Sequence, residues 1–115
     1  MKIYYTDIKD KKEFNFDNTT LKQLKYDPAT GRYLYGRYYR TDCREEMVGK
    51  LMGYEIVQPV KRKQPDGTEV FIYPSTEQFG RYGWFFPINT PKETLEMFMR
   101  GEEKKWEQSR TRKVV

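Results

Sequence analysis

The chain has no histidine and a single cysteine, Cys43. Without histidine there is no His-based general acid or base and no His-containing triad. With only one thiol as well, a zinc site of the usual Cys/His kind cannot be built within one chain. A lone cysteine also excludes an internal disulfide framework and fits a reducing compartment. The glycines are isolated, so neither a P-loop nor a dinucleotide fingerprint occurs. No run approaches the ~20 apolar residues that span a bilayer. The opening "MKIYYTDIKD" turns charged too early for a signal peptide. The expectation is a cytoplasmic protein with no membrane contact, no metal, no cofactor and no catalytic residue to assign.

What is present is aromatic and charged. Of 115 residues, 37% are apolar, 34% charged and 17% Phe, Trp or Tyr. Each aromatic ring can bury roughly 150–250 Å², so a small core can still form. This length predicts one α+β domain over residues 1–108 and a basic, flexible tail over 109–115. The net charge of +5 is unevenly spread. Lys22, Lys25, Arg32, Arg37 and Arg40 are opposed only by Asp27 over residues 22–40, and Lys61, Arg62 and Lys63 form a second cluster. Local positive charge favours a polyanion or an acidic protein surface.

The pattern along the chain is strands, helix, strands, helix. "KIYY" (2–5) reads as a first strand. Residues 21–40 read as a hairpin, because Asp27-Pro28-Ala29-Thr30-Gly31 combines a type I turn start with a glycine suited to positive φ. "TDCREEMVGKLMG" (41–53) predicts a helix capped by Asp42 and Glu45, with Cys43, Met47, Val48 and Leu51 as its apolar stripe and Gly53 as its end. "YEIVQPV" (54–60) and "TEVFIYP" (68–74) predict a second hairpin around Pro65-Asp66-Gly67. "RYGWFFPI" (81–88) reads as a further strand. Residues 90–108 predict a helix capped by Thr90, with Leu95, Phe98, Met99 and Trp106 buried. The fold expected is an antiparallel sheet of four to six strands with two helices packed on one face.

The stretch "GRYLYGRYYR" (31–40) carries the functional expectation. Strand alternation puts Tyr33, Tyr35, Arg37 and Tyr39 on one face and Arg32, Leu34, Gly36, Tyr38 and Arg40 on the other. Phenol rings beside a guanidinium can stack bases and neutralise phosphates, each stacked base being worth roughly 1–3 kcal/mol. Tyr82 and Trp84 would extend that platform. Arg32, Arg37, Arg40 and Arg81 would meet phosphates, helped by Lys61, Arg62 and Lys63. The RNA recognition motif signature is not met, since Gly precedes Arg here and Leu34 stands between tyrosines.

The function expected is therefore a non-enzymatic binding protein contacting RNA or single-stranded DNA through this strand. The alternative is an accessory or inhibitory factor, of the kind found in phages and mobile elements, that docks on a larger protein or nucleoprotein machine. "FGRYGWFFP" (79–87) suits that alternative, because protein interfaces centre on aromatics with few charges. A third reading is a His-free endoribonuclease using Arg, Lys and Tyr.

Overall fold

The computed structural model describes residues 2–40 and 44–105. A five-stranded antiparallel sheet forms the body, with strand order β1-β2-β3-β4-β7, and β5 pairs only with β6. The strands are β1 (Glu13–Phe16), β2 (Thr19–Asp27), β3 (Arg32–Tyr39), β4 (Leu51–Val57), β5 (Val60–Lys63), β6 (Glu69–Ile72) and β7 (Gly83–Pro87). Among the described residues one complete α-helix follows, α1 (Lys92–Met99), and residues 103–105 are helical again.

The β2–β3 hairpin forms as its turn chemistry requires. Asp27 accepts from the Ala29 N–H at 2.9 Å, and Gly31 closes the loop at φ +78 with its N–H on Asp27 O. The ladder carries a bulge between Gln23 and Lys25. The second turn also stands: Asp66 accepts from the N–H and hydroxyl of Thr68, and Gly67 takes φ +91. Its first arm is shorter than expected. Pro59 separates β4 from β5, so residues 54–57 join the main sheet and only 60–63 pair with β6. This is the position at which a proline cannot donate to a ladder.

Two expected elements are replaced. Residues 2–5 form no strand; instead the side-chain amide of Gln64 accepts from the Tyr5 N–H and donates to the Tyr5 carbonyl, holding this segment to the β5–β6 arm. The helix expected over 41–53 is also absent. A single 3-10 turn occupies Glu45–Met47, and Leu51 onward is strand; Asp42 and Cys43 lie outside the described residues. The cause is tertiary. Gly49 takes φ +85, its N–H goes to Tyr39 O, and Lys50 O accepts from Tyr39 N, so this backbone continues the β3 ladder. Gly53 sits in mid-strand, where a Cβ would lie 2.4 Å from Phe86 O. A glycine there permits close approach of β7.

The helix expected over 90–108 is broken: α1 ends at Met99, residues 103–105 are helical again, and 106–108 lie outside the described residues. The N-cap of α1 is Pro91, and the Thr90 hydroxyl donates instead to Pro87 O. Gly101, at φ +77, ends it: the Gly101 N–H goes to Phe98 O and the Glu102 N–H to Met97 O. Those two bonds make a Schellman motif, so this glycine terminates α1. Trp106 and the 109–115 tail lie outside the described residues.

Both faces of the sheet are covered. On one, Ile56, Phe86, Phe98 and Met99 form a core that includes α1, with Leu34, Tyr54, Trp84 and Leu95 against it. On the other, Ile8, Leu21, Tyr33, Tyr35 and Val57 pack with Phe14, Tyr73 and Phe79. Among the described residues, the expectation of two helices on one face is met only in part, by α1 on one face. Ile8, on a 3-10 turn, and the chain around Tyr73 and Phe79 cover the opposite side.

Candidate binding cleft

The alternation expected for β3 holds, yet it sorts the side chains between two cores. Tyr35 is fully buried, donates its hydroxyl to Lys11 O at 2.9 Å and accepts from Gln23. Burial pushes its phenol pKa up to about 12. Tyr33 is 7% exposed and packs on Tyr26. Neither ring presents a face to a base.

Arg32 lies on the helix side and is almost as buried. It makes a bidentate pair with Glu103 at 2.9 Å through each nitrogen, donates to Gln58 and to Phe98 O, and lies 4.7 Å over the Trp84 ring. These hydrogen bonds hold the Glu103 carboxyl below its usual range. Trp84 is thereby taken up in packing against Arg32 and Phe98. Arg32 ties the chain beyond α1 to the first hairpin; it is not a phosphate contact in waiting.

The remaining expected residues are dispersed. Tyr39 and Tyr82 are half-buried, and Arg40 donates to Asp17 O at 2.8 Å. Arg81 is exposed. Lys61, Arg62 and Lys63 are all exposed on the arm, where Lys61 pairs with Glu69 at 3.6 Å and Arg62 lies over Tyr5.

Arg37 has the most informative setting. It points to the face opposite α1, into a cleft of about 540 Å³. The floor is Leu21 from β2, Arg37 from β3 and Glu55 from β4, and the walls include Phe14, Phe16, Phe79 and Phe85. Antiparallel registers explain this meeting: Leu21 faces Arg37 across β2–β3, and Glu55 faces Phe85 across β4–β7. The outer strands β1 and β7 bring Phe16 and Phe85 to opposite sides of the guanidinium, with centroids 5.8 and 5.7 Å away. Both rings are substantially exposed, at 44% and 46%.

The polar groups of the floor form one chain. Arg37 Nη1 lies 3.1 Å from Glu55 Oε1, Arg37 Nε donates to the Thr19 hydroxyl at 3.1 Å, and the Tyr73 hydroxyl donates to Glu55 Oε2. Burial pushes the Glu55 carboxyl up, opposed by the Tyr73 hydrogen bond and the Arg37 charge. Burial likewise raises the Tyr73 phenol, which therefore keeps its proton and donates. Tyr73 in turn sits edge-on to Phe14 and Tyr35, with centroids 5.1 and 5.4 Å away. Each such aromatic pair adds about 0.5–1.5 kcal/mol beyond simple burial.

Sequence reasoning named Arg37 as a candidate and marked the stretch 79–87, which holds Phe85, as suited to a protein interface, and it missed Glu55, Tyr73, Phe14 and Phe16. One signal was legible: Glu55 is the single acid inside the apolar run "YEIV". A charge in a central strand is rarely buried without a partner.

Among the described residues no cluster of three or more acidic, Cys or His side chains could hold a metal ion, and no helix is long and apolar enough to cross a membrane. No family model, no curated protein and no solved structure matches the chain.

Proposed function

We propose that this protein is a non-enzymatic binding module that docks on a larger protein through the Arg37 cleft. The observation that carries this reading is the pair of exposed phenyl rings, Phe16 and Phe85, standing on either side of a partly accessible arginine. Aromatic and arginine side chains in apolar surroundings are the usual anchors of protein interfaces. The cleft also has the size and mostly apolar lining of a pocket that accepts a side chain.

A second reading, nucleic-acid contact, rests on a different place. It no longer draws on Tyr33, Tyr35 and Arg32, whose side chains are enclosed. It draws on the exposed Lys61, Arg62 and Lys63 of the arm, where exposed cations would give salt-dependent, sequence-independent attraction to phosphates.

Site-specific photocrosslinking in the native host separates these readings. A benzophenone side chain placed at Phe85 should give one discrete protein adduct, and the same probe at Arg62 should not. Nucleic-acid adducts at Arg62, with none to protein at Phe85, would favour the second reading and remove the first.

A further inference from the structure

The buried ion pair is lopsided. The Glu55 side chain is 5% exposed and both its oxygens are engaged, by Arg37 and Tyr73. The Arg37 side chain is 19% exposed, and its bonds to Thr19 and Glu55 use only Nε and Nη1. Among the described residues no buried side-chain nitrogen or oxygen lacks a partner. Arg37 Nη2 makes no such bond among them, so this nitrogen keeps some solvent access. Lys11 lines the same cleft, with its ammonium 4.5 Å over the Phe14 ring. The lining therefore sets two cations, Lys11 and Arg37, against one acid, Glu55, whose oxygens are both engaged, and the excess charge facing an occupant is positive.

Charge and apolarity are also layered. Arg37 lies at the floor, while Phe16 and Phe85 stand exposed above it. An occupant must carry its negative group foremost and an apolar group close behind. A chain terminus meets that demand best. Its carboxylate and its last side chain leave one Cα, so both can enter together, whereas an internal acid would require two flanking segments to bend out of the cleft. A guanidinium is well matched to a carboxylate in geometry and charge.

We propose that the cleft captures the C-terminal carboxylate of a partner chain that ends in an aromatic residue, with Arg37 reading the carboxylate and Phe16 and Phe85 clasping the ring. This rests on the docking reading above and specifies its ligand.

The test uses two small probes with the intact, isotope-labelled protein. N-acetylphenylalanine carries a free terminal carboxylate; its primary amide does not. By NMR titration the acid should saturably shift the Phe16, Phe85 and Arg37 signals, including Arg37 Nε–H. It should bind at least about 10-fold tighter than the amide, the factor given by one charge-assisted hydrogen bond. Phe85→Ala should weaken the acid's binding, and because that ring is exposed the fold should survive. Arg37→Lys, which keeps the charge, should reduce the preference for acid over amide.

Equal binding of acid and amide at these residues would overturn the terminal-carboxylate proposal while leaving the docking reading intact. No binding of either probe, or shifts confined to other surfaces, would also overturn it, and the crosslink at Phe85 would then judge docking by itself. Self-association that occupies the cleft, seen as concentration-dependent mass in sedimentation, would assign it to a second copy and equally overturn the proposal.

Discussion

Arg37 and Glu55 sit diagonally on neighbouring strands, Arg37 opposite Gly53 and Glu55 opposite Tyr35, and their side chains meet 3.1 Å apart on the sheet face that α1 does not cover. Removing one member of such a pair leaves the other uncompensated, typically at a cost of about 3–5 kcal/mol. Arg37→Met should therefore lower the urea midpoint sharply. The double variant Arg37→Met with Glu55→Leu should recover much of that loss, because no stranded charge remains. A double variant no more stable than the single one would show that the pair itself, not charge burial, sets the cost.

The pair also predicts a pH dependence with a defined sign. Burial raises the folded pKa of Glu55 above its unfolded value, so between the two values the native state holds more protons than the unfolded chain. Stability from this group falls as pH rises from the ordinary carboxylate range through the raised folded value. Glu103 acts oppositely. Its folded pKa is lowered by Arg32, so its contribution is present above the unfolded value and is lost as pH falls through the folded one. Glu55→Gln should remove the first slope and Glu103→Gln the second, in chemical unfolding followed across the acidic and neutral range. A wild-type slope retained in Glu55→Gln would assign the titration elsewhere.

Two arginines separate structure from surface. Arg32 is enclosed by Glu103, Gln58, Phe98 and Trp84, whereas Arg62 is exposed on the arm. Arg32→Ala should destabilise the fold by about 3 kcal/mol. Arg62→Ala should stay within about 0.5 kcal/mol. Thermal unfolding of both variants decides this, and equal effects would contradict the placement of Arg32.

Glycine positions give a further check. At Gly53 an added Cβ would lie 2.4 Å from Phe86 O, so Gly53→Ala must push β7 away from β4. Overpacking of this kind costs about 1–3 kcal/mol. At Gly101 there is room, but φ is +77, so Gly101→Ala should cost about 1 kcal/mol through backbone strain alone. Unfolding midpoints that ranked the two variants in reverse order would argue against β7 packing closely on β4.

Short-range chemistry was legible where it is self-contained. The turn at residues 27–31 and the turn at Pro65-Asp66-Gly67 needed only local side-chain bonds and glycine φ, and both formed as read. The first helix was misread because its apolar spacing and capping residues are local signals, which tertiary pairing overrides. Only the bonds between Tyr39 and the backbone of residues 49 and 50 decide between helix and strand here, and these connect distant elements. Likewise "GRYLYGRYYR" showed its alternation but not its coverage. A two-sided aromatic strand reads the same whether its faces meet solvent or two cores.

The sequence by itself determined the first hairpin, the turn of the second, the helix start near Pro91, the absence of His-based chemistry and the two-faced character of β3, because each depends on residue type and near neighbours. Tertiary structure alone decided that Tyr33, Tyr35 and Arg32 are interior, and that Arg37 stands among phenylalanines drawn from β1 and β7. Strand order and register set those neighbours. They follow from pairings between residues far apart in the chain, which no local pattern encodes.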